Sequence, residues 1–144
     1  MTRIFTIGYE GATQAALIAA LADAGVTLLA DVRAVPLSRQ PGFSKNVLAA
    51  GLREAGIDYV GLKALGTPPE GREAARRGDH ATLARVYAGQ LDLPEAMLQA
   101  AQLRDLAAER ATALLCFERD PAGCHRSLLV AAALPDAEVV HLFA

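Results

Sequence analysis

The sequence has no tryptophan, few aromatic residues and only two cysteines. Aromatic residues make up 5% of the 144 residues, and the cysteines are Cys116 and Cys124, too few for a scaffold built on disulfides. No apolar run approaches the roughly 20 residues that span a bilayer. A strand-like run begins directly at the N-terminus, so we expect no signal peptide and a cytoplasmic protein. The formal net charge of −2 excludes a globally basic nucleic-acid binder, but it allows a local basic patch.

Apolar residues, by contrast, make up 53% of the chain, and charged residues make up 21%. This is enough apolar material for the core of one domain spanning residues 1–144, and it argues against intrinsic disorder. Much of it is alanine, which suits closely packed helices better than an all-β sandwich.

Strand-like and helix-like segments alternate from one end of the chain to the other. Thr13 and Ser44 occupy N-cap positions, and Gly25 and Gly56 stand where left-handed C-terminal caps are expected. The stretch 61–80 is rich in glycine, proline and arginine, so we expect an irregular connection there. Because strands separated by helices pair in parallel, we expect an α/β fold with an open, mostly parallel sheet of about five strands and helices on both faces. The predicted strands are 4–7, 27–32, 57–60, 111–117 and 138–142, and the later helices are 82–89, 94–110 and 124–134.

The reactive and charged residues fall at the carboxyl ends of the predicted strands. Open α/β sheets bind their ligands at that edge. The sequence therefore predicts a functional site there. Its motifs are Gly8-Tyr9-Glu10-Gly11 after the first strand, Asp31-Val32-Arg33 at the second, Cys116-Phe117-Glu118 at the fourth, and Cys124-His125-Arg126 at the start of the last helix.

These motifs, in this order, resemble the domain-of-unknown-function 488 family over nearly the whole chain. The resemblance implies a small cytoplasmic α/β domain that is suspected of being an enzyme and has no established reaction. Many relatives carry a histidine directly before the Cys-His-Arg triplet, where this chain has Gly123. That departure argues against a metal site that needs the extra imidazole. The segments that carry the resemblance are Thr6-Ile7-Gly8-Tyr9, Asp31-Val32-Arg33 with Pro36, Ser38-Arg39, Gly42-Phe43-Ser44-Lys45, and Cys116-Phe117-Glu118 followed by Cys124-His125-Arg126.

Cys124 stands at a predicted helix N-terminus, where the helix dipole and free N–H groups favour an anion and lower the pKa of a thiol. We interpret it as a thiolate nucleophile, or as part of a cradle for a phosphate or carboxylate. The alternative is a buried cysteine that packs as a small hydrophobe, with His125 capping a neighbour. Val130, not an arginine, stands six residues later, so the phosphatase loop is absent.

Two carboxylates near the strand ends are further catalytic candidates. Glu118 suits a general base or a group that orients His125 or an arginine; the alternative is a surface carboxylate that pairs with Arg119. Asp31 lies inside an apolar strand and must find a partner there. Arg33 shares its strand face by alternation, although a neighbouring strand can equally supply the partner.

A basic loop follows the second strand and is the predicted anion-binding segment. It carries Arg33, Ser38, Arg39 and Lys45 and no acidic residue, and arginine forks and hydroxyls match phosphate or carboxylate oxygens. Residues 33–77 hold eight of the 14 lysines and arginines of the chain against four acidic residues. With Arg126, these cations are expected to hold the anion; the alternative is a solvated, flexible loop.

The glycine after the first strand is not part of a dinucleotide fingerprint, because Gly-x-Gly-x-x-Gly is missing. We expect Gly8 to allow a tight turn at which a ligand approaches, with Tyr9 as a wall of the site.

Four residues have side chains of the types that bind zinc. The spacing of Cys116, Cys124, His125 and His141 matches no common zinc pattern, so we predict no metal and no cofactor. A disulfide between the two cysteines is geometrically possible across a turn, but in a reducing cytosol it would be a transient redox device.

The sequence leaves several functions open. The first is an enzyme, a transferase or hydrolase assisted by Cys124, Glu118 and His125, acting on an anionic, phosphate-bearing or nucleotide-like small molecule. The second is a non-catalytic module that senses such an anion or a nucleic-acid end, and the third is a metal or redox protein. A small anionic ligand is the expected partner; nucleic acid is not favoured, no membrane is expected, and the alanine-rich helices permit a homodimer.

Overall fold

The computed structural model describes residues 2–144 and shows a parallel sheet of five strands with helices on both faces. This confirms the α/β fold expected from the sequence, and all of the strand pairs are parallel. The strands, in the spatial order β3-β2-β4-β1-β5, are β1 (Arg3–Gly8), β2 (Leu28–Asp31), β3 (Asp58–Gly61), β4 (Thr112–Cys116) and β5 (Glu138–Phe143). The helices are α1 (Gln14–Asp23), α2 (Lys45–Glu54), α3 (Pro69–Arg76), α4 (His80–Leu91), α5 (Pro94–Glu109) and α6 (His125–Ala133), with short 3₁₀ turns at Lys63–Leu65 and Pro121–Gly123.

Each face of the sheet is covered by its own layer of helices. Every residue of β2 and β4 is buried, because both strands lie inside the sheet under helices on either side. One apolar cluster joins the sheet to α1 and α2 through Leu17, Leu21 and Leu48. The other joins it to α4, α5 and α6, through residues such as Leu103 and Leu129. No helix within residues 2–144 combines the length and apolar character that crossing a membrane requires.

Local signals in the sequence set most of the helix ends. Thr13 caps α1 by accepting a hydrogen bond from the backbone N–H of Ala16. Gly25 and Gly56 follow α1 and α2 with φ of 77°, the left-handed conformation that glycine adopts without cost. Ser44 occupies the N-cap position of α2, but within residues 2–144 its side chain makes no capping hydrogen bond to the helix.

The expected irregular connection over 61–80 is wrong for residues 69–76, which form α3. Pro69 stands at the helix start, where its missing N–H costs nothing. Only Gly71 and Ala74 of this helix are buried. The helix therefore lacks the large apolar residues at helical spacing by which an amphipathic helix is recognised.

Candidate functional site

A cleft of about 640 Å³ lies beyond the carboxyl ends of the central strands, the edge at which the sequence predicts a site. Residues following β1, β2 and β4 contribute to it, and α3 and the start of α6 complete its walls. Its polar and reactive lining residues are Tyr9, Arg33, Thr67, Arg72, Arg76, Cys116, Glu118, Cys124 and His125.

Two buried cysteines lie together in the lining of this cleft. Cys116 is the last residue of β4, and strand alternation places it on the same face of the sheet as Leu114, toward α6. Cys124 is the N-cap of α6, and its sulfur accepts a hydrogen bond from the backbone N–H of Arg126. The two Sγ atoms are at bonding distance, with the Cα atoms 7.4 Å apart. The disulfide between Cys116 and Cys124 that the sequence allows is therefore present in the structure.

His125 is held in one tautomer by its surroundings. Nε2 lies 2.8 Å from the carbonyl oxygen of Val32, and because a carbonyl only accepts, Nε2 carries the proton. Nδ1 therefore has a free lone pair, and it lies 3.6 Å from Cys124 Sγ. Burial lowers the pKa of His125 to about 4, so the imidazole is neutral at pH 7.

Glu118 reaches the same cluster from the loop after β4. Its Oε2 atom lies 3.5 Å from Cys116 Sγ, and burial raises the pKa of the carboxyl group. A carboxyl group that holds its proton more tightly than usual is a candidate for proton transfer to or from a bound molecule. The structure therefore brings three of the predicted catalytic residues, Glu118, Cys124 and His125, into one cluster.

Arg126 lies beneath the cluster and not in the cleft. Its side chain is fully buried, and Nη2 donates to the carbonyl oxygen of Glu118 at 2.7 Å. Burial lowers the pKa of Arg126 to about 10. Within residues 2–144, its Nε is the buried side-chain polar atom that has no hydrogen-bond partner. The guanidinium thus supports the loop that carries Glu118 and supplies positive charge behind it, but it does not line the space where a ligand would bind.

Asp31, the fourth predicted catalytic residue, is held in a buried ion pair. Arg33 donates to its carboxylate from Nε at 2.8 Å and from Nη2 at 2.7 Å, and the hydroxyl of Tyr59 donates at 2.5 Å. The expected partner on the same strand face is thus confirmed. Burial by itself lowers the pKa of Arg33, but the hydrogen bonds and charge of Asp31 outweigh it and raise that pKa. With its oxygens engaged by Arg33 and Tyr59, Asp31 positions Arg33.

Tyr9, which directly follows β1, is the centre of an aromatic wall. Tyr9 stacks on Phe43, with ring centroids 4.6 Å apart, and meets Phe117 edge-on at 5.4 Å. The Arg33 guanidinium lies 5.2 Å from the centroid of the Tyr9 ring. Gly8 has a different role from the expected one: a Cβ there would overlap the carbonyl of Glu118, so the glycine admits backbone of the protein itself.

The candidate residues of the predicted anion-binding loop do not meet at one place in the structure. Ser38 takes part in turns, with its N–H donating to Ser44 Oγ at 3.0 Å and its hydroxyl accepting from the N–H of Gln40 at 3.1 Å. Arg39 is exposed and lies outside the 640 Å³ cleft. Lys45 lines a second cleft of about 430 Å³. Of the cations expected to act together, Arg33 alone lines the larger cleft.

Two cations of that cleft come from α3 and were missed as site residues. Arg72 is half-buried and donates to the Thr67 carbonyl at 3.0 Å, and Arg76 is exposed and paired with Glu73. Both belong to the basic stretch 33–77 noted in the sequence. The sequence therefore indicated the positive charge of this stretch. Because the helix was not predicted, the sequence did not place these two arginines at the site.

The fold and the cleft define a small parallel α/β domain. Beyond the carboxyl ends of its central strands lies the cluster of Cys124, His125 and Glu118, the Cys-His-Glu cluster. The chain belongs to the family described as "Domain of unknown function DUF488", whose model matches residues 13–133. This confirms the resemblance drawn from the motifs. No curated protein and no solved structure matches the chain.

Proposed function

We propose that this protein is a cytoplasmic enzyme, a hydrolase or transferase, that acts on an anionic small molecule of the phosphate-bearing or nucleotide-like class. The observation that carries the proposal is the composition of the 640 Å³ cleft, in which three arginines from two separate segments line the same space as the Cys-His-Glu cluster. Such a cleft has room for a small ligand and places it against groups that transfer protons.

The three arginines have different tasks in this proposal. Arg33 is fully engaged by Asp31 and by the carbonyl of Phe43, so it contributes charge and a fixed wall. Arg72 and Arg76 reach the cleft from α3. Their forks match a phosphate or carboxylate in two-point contacts, and we assign them the binding of the anion.

Glu118 is assigned the transfer of a proton to or from the bound molecule. It lines the cleft, and its loop is anchored by Arg126 from below. An attack by Cys124 needs a free, accessible sulfur, whereas this residue is 3% exposed and its sulfur is next to that of Cys116. The proposed chemistry therefore does not use Cys124 as a nucleophile.

Arg72→Ala is expected to weaken the binding of inorganic phosphate at least about tenfold, because a hydrogen bond to a charged group is worth about 1.5–3 kcal/mol and about 1.4 kcal/mol is a factor of ten in affinity. Arg76→Ala is expected to have a smaller effect, since that side chain is exposed and shared with Glu73. Arg104→Ala is the matched control: this residue is exposed on α5 and outside the cleft. Phosphate titrations followed by backbone amide chemical shifts measure all three, and equal affinities in the three variants would contradict the anion site.

Glu118→Gln separates an enzyme from a binding module. The wild type is incubated with a panel of phosphate esters and nucleotides, and consumption is followed by phosphorus NMR. An enzyme is expected to turn over a member of the panel. The variant is expected to lose at least about 100-fold of that rate, the lower end of what general acid–base catalysis contributes, while its phosphate affinity changes little. Phosphate binding without turnover of any panel member would favour a sensing module.

A further inference from the structure

We propose that the reduced protein binds one zinc ion through Cys116 Sγ, Cys124 Sγ and His125 Nδ1. These atoms lie within 4.8 Å of one another, and all three residues are buried. All three also line the 640 Å³ cleft. The inference rests on the proposed function only for the anion that approaches the metal, since the metal site itself stands on the geometry of its three ligands.

The histidine is arranged as metal-ligating histidines are. A ligand imidazole usually donates its second ring N–H to a carbonyl or carboxylate, which fixes the tautomer and aims the other nitrogen at the metal. Here Nε2 donates to the carbonyl of Val32 at 2.8 Å. The lone pair of Nδ1 is thereby left on the side of Cys124 Sγ, 3.6 Å away. With Zn–S near 2.3 Å and Zn–N near 2.0–2.1 Å, two ligands at a tetrahedral angle are about 3.6 Å apart.

The backbone spacing of the cysteines also suits two ligands of one ion. Their Cα atoms are 7.4 Å apart, beyond the range of about 4.4–6.8 Å usual for a disulfide. Two thiolates that share a tetrahedral ion need a longer span, because the metal stands between the sulfurs. Cys116 is held by the sheet and Cys124 by the first turn of α6, so the two positions are set by the fold.

The ligand chemistry points to zinc. Two thiolates and an imidazole form a soft, tetrahedral donor set. Each thiol releases its proton to solvent as a Zn–S bond forms, and no bond within the reduced chain breaks apart from these S–H bonds. The two thiolate charges neutralise Zn²⁺, so the complex adds no net charge to the buried cluster. Oxidation of the pair to a disulfide removes both ligands, and a two-electron reductant must restore them before the metal binds.

Three protein ligands leave the fourth position of a tetrahedral ion open, as in catalytic zinc sites. Because the ligands line the cleft, we place this position on the cleft side, beside Glu118. His141, the remaining histidine considered for zinc, is not part of the cluster: its Nδ1 lies 2.5 Å from the hydroxyl of Thr6. At its open fourth position, the metal would bind an oxygen of the anion or a water molecule.

The test is metal binding by the full chain, purified with a phosphine reductant and dialysed against zinc or cobalt(II). We expect one equivalent of metal, and for cobalt a near-ultraviolet thiolate charge-transfer band together with the visible bands of a tetrahedral ion. His125→Gln is expected to weaken zinc binding at least about 100-fold, since loss of an outer partner alone costs about 10–100-fold. His141→Gln is the matched control and is expected to bind as the wild type does.

A second measurement needs no variant and so does not depend on how a variant folds. Zinc is expected to protect both cysteines of the reduced wild type from iodoacetamide, with each site read by mass spectrometry. The proposal is overturned if the reduced protein takes up neither zinc nor cobalt, if His125→Gln binds as tightly as His141→Gln, or if zinc leaves both cysteines equally open to labelling.

Phosphate added to the cobalt protein tests the open position. A change in the visible bands is expected, whereas unchanged bands with one bound cobalt would overturn the open position and make the ion structural. The two proposals fail separately. Metal uptake without phosphate binding contradicts the proposed function alone, and Arg72-dependent phosphate binding without metal uptake contradicts the zinc site alone.

Discussion

Asp31→Asn is expected to lower the free energy of unfolding by about 3–5 kcal/mol, because it leaves the guanidinium of Arg33 buried without its counter-charge. Asp31 and Arg33 are 1% and 6% exposed, so water cannot take over the lost interactions. The carboxylate also accepts the N–H of Arg33 at 3.1 Å and the hydroxyl of Tyr59 at 2.5 Å. The amide of asparagine has only one oxygen that accepts hydrogen bonds. Its NH₂ group would face the N–H and O–H donors of Arg33 and Tyr59.

Urea unfolding followed by circular dichroism measures this loss, and two variants calibrate it. Tyr59→Phe removes one hydrogen bond and keeps the ion pair, so we expect a loss of about 1 kcal/mol. Asp23→Asn makes the same chemical change at an exposed position on α1 and is expected to stay within about 0.5 kcal/mol of the wild type. If Asp31→Asn costs no more than Asp23→Asn, the buried ion pair does not hold β2 and its loop together.

Gly8→Ala is expected to destabilise the protein by about 3 kcal/mol, because the added Cβ meets backbone that cannot move aside alone. That Cβ would overlap the carbonyl of Glu118 and come within 3.0 Å of the Cα of Arg119. Either β1 or the loop after β4 has to shift. The shift also displaces Glu118, so we expect turnover to fall together with stability.

Gly89→Ala is the matched control for the glycine at position 8. Gly89 lies in α4. Within residues 2–144, no atom outside its chain neighbours and the adjacent backbone of its own helix comes within 4 Å of the position that an alanine methyl group would take there. Alanine is also the better helix former by about 0.5–1 kcal/mol. This variant is therefore expected to gain stability in the same thermal or urea unfolding experiment. Equal melting temperatures for Gly8→Ala and the wild type would show that the loop after β4 yields without cost.

Helix caps and strand runs were predictable because they are local. Thr13 and Gly25 mark the ends of α1 through bonds and dihedral angles within a few residues of themselves. The continuous apolar run that contains β2 is buried on both faces, as a central parallel strand must be. The helix α3 escaped prediction because its buried positions are a glycine and an alanine, which carry little periodic signal.

The candidate site was only partly predictable, since it depends on which strands are neighbours. The motifs after β1, β2 and β4 could be assigned to one edge of a parallel sheet from the sequence. No local feature of the sequence predicts that Arg72 lines the cleft at that edge or that Arg39 lies outside it. Nor could spacing bring the sulfur of Cys116 to Cys124 and His125, because those contacts need β4 packed against the first turn of α6.

The sequence by itself determined the open parallel α/β fold, its five strands, the capped ends of α1 and the edge of the sheet that carries the reactive residues, and it offered Arg33 as one candidate partner of Asp31. Each follows from hydrophobic periodicity, capping residues or the two-residue repeat of a strand, which act over short distances along the chain. The tertiary structure alone decided the strand order, the membership of the cleft, the tautomer of His125 and the meeting of the two cysteines. These depend on contacts between residues far apart in the chain, and such contacts exist only once the sheet has formed and its helices have packed on it.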